Sequence, residues 1–231
     1  MRTNTTKAKL AAGQVVFGAI ISRPAPDQVE LFGAIGYDFV MIDCEHGPMS
    51  LDEVEHMVRA AEVFGITPIT RIPNHEDSTI LRFLDRGVQG IIVPHVNTRG
   101  AAEDVARAAR YWPDGHRGVA GGRAHDYGVG VSRDESTRWI NAELLVISMI
   151  EETEAVDNLD AILTVPGSTC CTSRPAISAR AWATPARRRF ARSCARSSPG
   201  SGRAASWSAW AAIRPPTPRG SRSSSSSAPT S

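Results

Sequence analysis

Between residues 14 and 167, short and nearly unbroken apolar runs alternate with segments whose apolar residues recur every three or four positions. Residues 14–22 (QVVFGAIIS) read as a strand, and a helix follows over about 26–35, with Pro26 suited to a first turn and Gly36 to a stop. Residues 38–45 (DFVMIDCE) are a second strand. Residues 50–64 are predicted as a helix in which Ser50 is the N-cap and Glu53 completes a capping box. Its Leu51, Val54, Met57, Val58 and Ala61 form one apolar stripe. The rhythm repeats with a strand at 67–72 and a helix at 77–86 closed by Gly87, then a strand at 90–96 and a helix at 100–111 stopped by Pro113. A strand at 144–151 and a helix at 153–164 complete the series. Runs that are apolar throughout, rather than at alternate positions, imply burial on both faces of a parallel sheet. Five such units predict a (β/α) barrel or a doubly wound sheet. Residues 114–141, rich in glycine, read as a long loop.

The pattern stops at Gly167. Residues 168–231 hold 16 Ser, 13 Ala and 11 Arg, and no stretch there keeps a strand or helix period. This divides the chain into a partial barrel, 1–167, and an irregular tail, 168–231. Charge divides it in the same way. The whole chain of 231 residues carries +2, but all 24 acidic residues, both lysines and all six histidines lie at or before Asp160. The first 160 residues therefore carry −9, and the last 71 carry +11. The 42% apolar content is enough for one sizeable core and excludes a disulfide-stapled miniprotein. No apolar run approaches the roughly 18–20 residues of a bilayer-spanning helix, and the expectation is a cytoplasmic protein. Cys44, Cys170, Cys171 and Cys194 match no zinc spacing and read as small buried or incidental residues.

In parallel βα architectures reactive groups gather where strands end. The second strand ends in Asp43, Glu45 and His46, the third in Arg71, and the fifth in Glu151 with Glu152. Asp85 closes the third helix, on the opposite side of a simple βα unit. Singly, each of these reads as a structural residue. Gathered at one barrel mouth, they make a site in which Glu151 holds a divalent cation, Arg71 grips a carboxylate or oxyanion, and His46 moves a proton.

The segments YDFVMIDCEHGPMS, TPITRIP, LDRGVQGIIVPHVNT, ARYWPDGHRGVAGGRA and IEETEAVDNLDAILTVPG resemble, in order and spacing, the metal-dependent (class II) pyruvate aldolases. That family includes 4-hydroxy-2-oxoheptanedioate aldolase and 2-dehydro-3-deoxyglucarate aldolase. The resemblance implies a (β/α)8 TIM barrel, here reduced to about five βα units. It also implies cleavage of 4-hydroxy-2-oxo acids into pyruvate and an aldehyde. By matching position it makes His46 the base, acting through a metal-bound water, Asp43 and Asp85 its acidic supports, and Arg71 the ligand of the pyruvate keto or enolate oxygen. Glu151 becomes one ligand of Mg²⁺, Mn²⁺ or Co²⁺. Met149 stands where relatives often place a substrate-contacting Gln. A small 2-oxo acid is the implied partner, and intact relatives are hexamers. An acyl-CoA lyase on a similar barrel is the nearest competitor, but no CoA-binding pattern is recognisable.

After Gly167 such relatives continue with a sixth strand and a motif like I-G-P-x-D-L-S-x-S-L-G, whose Asp is the second metal ligand. Here the chain reads GSTCCTSRPAISARAWATP. Taking the third base of each codon with the first two of the next, wobble freedom lets Ser168 to Pro185 spell V-D-V-L-Y-I-A-P-G-D-L-S-A-S-L-G-Y-P. The family's Asp then falls across the codons of Ala176 and Ile177. The tail thus reads as translated out of frame and disordered, and the expectation is a poorly folding chain with impaired activity. The rival reading is a non-catalytic barrel remnant whose basic tail binds nucleic acid or an acidic partner.

Overall fold

The computed structural model describes residues 2–168 and the backbone of the strand Cys170–Ser173. Expectations placed on residues 174–231, including the codons of Ala176 and Ile177, lie outside the described residues. All five expected strands form: β1 (Gly18–Ile21), β2 (Phe39–Asp43), β3 (Thr67–Arg71), β4 (Gly90–Val93) and β5 (Leu145–Ile150). A sixth, β6 (Cys170–Ser173), pairs with β5, so the tail that showed no strand period begins with one. Every neighbouring pair is parallel, and the spatial order follows the chain from β1 to β6. A doubly wound sheet reverses its order at a switch point, whereas a barrel adds strands in sequence. The sheet is therefore the barrel kind, an open six-stranded arc among the described residues.

Helices α2 (Pro26–Ala34), α3 (Leu51–Phe64), α4 (Asp77–Leu84) and α5 (Arg99–Ala108) connect successive strands. Both halves of the predicted capping box of α3 are present, and Gly65 ends it with φ 66°. One face of the sheet packs on these helices through Val40, Ile42, Ile91, Val93 and Val146, together with Val54, Met57, Val58 and Ile80. The other face lines the barrel interior with Phe39, Met41, Ile69, Ile92, Leu145, Ile147 and Met149. Alternation along each strand sorts the two sets, although both are buried, which is why the sequence shows continuous runs.

Three departures from expectation have local causes. Strand β4 ends at Val93 rather than at residue 96, because Pro94 removes a donor and His95 turns into the left-handed region at φ 57°. The helix expected over 153–164 is two short ones, α7 (Thr153–Asp157) and α8 (Leu159–Ile162), meeting at Asn158, whose amide donates to the Asn97 carbonyl at 3.0 Å. Two further helices escaped the periodicity. The first, α1 (Thr5–Ala11), is capped by Asn4, which takes the Lys7 N–H. Asn4 and Thr6 donate to the carbonyls of Gln89, Glu143 and Asp38, each just ahead of a strand, so α1 closes the N-terminal end of the barrel. The second, α6 (Arg133–Glu143), lies within the presumed loop and is capped by Ser132, which accepts from Glu135 N–H.

Candidate active site at the C-terminal strand ends

The register of β2 on β3 places Asp43 directly opposite Arg71, on the interior face at the C-terminal edge. They form a two-point ion pair, Arg71 Nε to Asp43 Oδ1 at 2.9 Å and Nη2 to Oδ2 at 2.6 Å. Asp43 Oδ1 also accepts from the backbone N–H groups of Glu45 (3.2 Å) and His46 (3.3 Å), which folds the chain after β2 back over the strand end. Burial pushes the Asp43 carboxyl up, but the hydrogen bond and charge of Arg71, with those two N–H groups, outweigh it and hold it below its ordinary value. Burial likewise disfavours the Arg71 charge, and Asp43, Glu45 and Glu151 more than restore it.

Beyond this pair the chain places three more groups. Glu45 Oε2 lies 3.0 Å from Arg71 Nη1, outside hydrogen-bonding alignment. Glu151 continues the inward parity of Ile147 and Met149 and is half-buried, with its side chain 8% exposed and its Oε1 accepting from the His95 backbone N–H at 3.0 Å. The left-handed turn at His95 makes that contact and also brings its Nδ1 to 2.7 Å from Glu152 Oε1. Asn97 donates to the other oxygen of Glu152 at 2.8 Å. One ligand atom each from Glu45, His95 and Glu151 lie within 4.8 Å of one another. Two largely covered carboxylates and the exposed His95 imidazole, beside a single guanidinium, are a donor set that fits a divalent cation.

The structure thus brings Asp43, Arg71 and Glu151 together. His46 stands at the rim, its side chain about half exposed and its Nε2 3.9 Å from Glu45 Oε1. Met149 is buried in the interior cluster just beneath Glu151. Asp85 is not brought to this cluster within the chain. It ends α4 at the far edge of the sheet and pairs with Arg117 at 2.7 Å. Glu45, His95 and Asn97 carried no assigned role in the sequence reading. His95 and Asn97 sit just past the end of β4, the same structural address that picked out Glu151, and Glu45 stands beside the chosen His46.

Residues 21–172 match the protein family described as HpcH/HpaI aldolase/citrate lyase. A 4-hydroxy-2-oxovalerate aldolase of Novosphingobium aromaticivorans is 38% identical over 168 residues, covering 71% of this chain and 62% of the relative. A hydroxypyruvate/pyruvate aldolase of Roseobacter denitrificans (strain ATCC 33942 / OCh 114) is 36% identical over 166 residues, covering 71% of this chain and 64% of the relative. The chain therefore spans less than two thirds of the length of these curated relatives. Among solved structures, an HpcH/HpaI aldolase/citrate lyase family protein from Burkholderia cenocepacia J2315 superposes with a TM-score of 0.77 at 28% identity, covering 85% of this chain and 82% of the other.

Proposed function

Because the chain belongs to the HpcH/HpaI aldolase/citrate lyase family, we propose that its barrel mouth is the site of a metal-dependent pyruvate aldolase that cleaves 4-hydroxy-2-oxo acids to pyruvate and an aldehyde. The observation that carries this reading is the meeting of Arg71, Asp43, Glu45 and Glu151 at adjoining strand ends. Asp43 occupies the Nε edge of the guanidinium and fixes its plane, so a substrate oxygen would share the N–H groups of Nη1 with Glu45, whose Oε2 lies 3.0 Å away. That is a preorganised donor set for the negative charge that grows on the 2-oxo oxygen as the carbon–carbon bond breaks. A divalent ion held by Glu151 would add Lewis-acid stabilisation of the same charge. His46, reachable from solvent at the rim, takes the proton of the 4-hydroxyl and returns one to the pyruvate carbon. Asp85 stays outside this proposal within one chain, held by Arg117 at the other end of the barrel.

The test separates enolisation from aldehyde specificity. With Mn²⁺ present in D₂O, a chain whose reading frame is restored at Gly167 is expected to exchange the methyl protons of pyruvate, followed by proton NMR. His46→Ala should remove most of that exchange. Absence of metal-dependent exchange in the restored chain would overturn the reading.

A further inference from the structure

We propose that His95, oriented by Glu152 and Asn97, is a specificity residue that takes a hydroxyl on the aldehyde half of the substrate. The site then favours hydroxylated, uncharged aldehydes over alkyl aldehydes and over those that carry a carboxylate. The proposal rests on the aldolase reading and names the class of aldehyde which that reading leaves open. There Arg71 and Glu151 act on the pyruvate half and His46 moves the proton, so His95 and Glu152 are left for the other half. Their position suits this. Arg71 Nη1 lies 3.0 Å from a Glu45 oxygen, and a ring nitrogen of His95 lies within 4.8 Å of a Glu45 oxygen. In a 2-oxo acid held by Arg71, three carbon–carbon bonds carry the chain from the keto carbon to the carbon beyond the 4-hydroxyl, which brings that carbon toward the imidazole.

Two local costs converge on the orientation of this one ring. His95 adopts the left-handed region, at φ 57°, without being glycine. Asn97 turns its amide nitrogen to Glu152 Oε2 at 2.8 Å, and its covered Oδ1 then has no hydrogen-bond donor among the described residues. Strained backbone persists only where its surroundings enforce it, and it concentrates at functional sites. Packing of the side chains accounts for neither cost, because those of His95 and Glu152 are 56% and 45% exposed. The N–H contact of His95 with Glu151 uses the backbone alone and does not call for a histidine. What the arrangement achieves is an imidazole held in one orientation at the mouth.

The chemistry of the ring decides what it reads. A carboxylate accepts, so the 2.7 Å contact with Glu152 Oε1 places a proton on Nδ1. Nε2 makes no hydrogen bond among the described residues and is the polar atom of the ring left for a ligand. A hydroxyl suits it in either charge state, giving its hydrogen to the neutral ring or its lone pair to the protonated one. A methyl group does neither. Sites that hydrogen-bond a substrate hydroxyl reject the analogue that lacks it, because the polar group is then left without its partner. Glu152 sets the second preference. Its charge beside the ring disfavours a further carboxylate at the far end of the substrate.

The experiment compares 4,5-dihydroxy-2-oxopentanoate with 4-hydroxy-2-oxopentanoate, which lacks one hydroxyl, and with 4-hydroxy-2-oxoheptanedioate, which carries a second carboxylate. Binding to the 231-residue protein is followed by titration calorimetry with Mg²⁺ present, and kcat/KM is measured in the chain restored at Gly167. The dihydroxy acid is expected to be preferred about 10-fold over each of the others, the size of one net hydrogen bond. His95→Gly, which takes the left-handed turn without strain, should abolish the preference for the hydroxyl. Glu152→Gln should narrow the discrimination against the second carboxylate. Each comparison is a ratio within one variant, so a variant that merely loses structure lowers all three acids alike. Equal handling of the hydroxylated and alkyl acids by the parent, or an unchanged ratio in His95→Gly, would overturn the proposal and leave the aldolase reading intact. Where the 231-residue protein binds none of the acids, the restored chain decides by the same ratios. A restored chain that binds the dihydroxy acid through His95, yet does not exchange pyruvate protons, would instead sink the aldolase reading and keep the hydroxyl site. Neither binding nor cleavage of any of the three would overturn both.

Discussion

Arg71 shows how one side chain can be indispensable without being a net source of stability. Buried ion pairs gain little over apolar packing, yet removing one partner strands the other. Arg71→Met would leave the buried Asp43 and Glu45 carboxylates without their cation. The expected loss is about 3–5 kcal/mol, read from urea denaturation. Asp43→Asn in the same chain should recover part of it, since it removes the stranded charge; no recovery would contradict this account. A second buried polar set lies elsewhere. His125 Nδ1 is 2.8 Å from Ser136 Oγ, whose hydroxyl donates to the Arg133 carbonyl, so the ring donates there and accepts from the Tyr111 hydroxyl at Nε2, also at 2.8 Å. That requires a neutral imidazole. Burial, then the nearby Arg117 charge, pushes the His125 pKa below its ordinary 6.5. The sign follows: a lowered folded pKa contributes stability that is intact above about 6.5 and is lost as pH falls through the folded value. His125→Asn should flatten the pH dependence of the unfolding midpoint in that mildly acidic window, and an unchanged profile would exclude His125 as its source.

At the level of elements, the loop after β2 carries more of the site than any helix does. Glycine at position 47 is required there by space. A Cβ at Gly47 would lie 2.1 Å from the Asp43 carbonyl oxygen and 2.9 Å from that of Ser22. Gly47→Ala must therefore push the loop off the strand end, shifting Glu45 and His46 together. The expected outcome is weaker metal binding and a lower melting temperature in the same variant. A change in neither, measured by calorimetry and Mn²⁺ titration, would show that the loop has room the structure does not contain. Capping explains which helices were legible. Ser50 and Glu53 announce α3 because an apolar stripe follows them, whereas Ser132 and Glu135 precede the weakly amphipathic segment RDESTRWINAE, and α6 read as loop. Asn4 capped α1 in a stretch too polar to attract notice, and α1 is held by its polar contacts with the strand starts.

On the scale of the whole molecule, the arc of strands is open on its β1 side among the described residues. Ile20 lies opposite the inward-facing Met41 in the β1–β2 register, yet it is 49% exposed, and Phe17 beside the same edge is 57% exposed. An interior residue at half exposure marks a sheet that has not closed on itself, and an unpaired edge invites association. We infer that translation of the tail out of frame accounts for its arginine excess and missing carboxylates. Restoring one base at Gly167 should raise Mn²⁺-dependent pyruvate release from a 4-hydroxy-2-oxo acid well above that of the 231-residue chain. Equal activity in the two would refute it. No described helix is long and apolar enough to cross a membrane.

The parallel strands and the mouth residues Asp43, Arg71 and Glu151 were legible from the chain alone, because continuous apolar runs demand two-sided burial and each of those polar residues interrupts or ends such a run. Barrel or doubly wound sheet could not be decided that way, since both produce the same alternation; only the spatial order of the strands separates them. The same limit held at the site. Asp43 and Arg71 are 28 residues apart, and the strand register alone sets them face to face. His95 joined them through a single left-handed backbone turn that no periodicity encodes, and Asp85 was kept away from them because its helix ends at the opposite edge of the sheet. Local pattern determines which elements form and which faces they bury, while the distance between residues far apart in the chain is a property of the packed sheet.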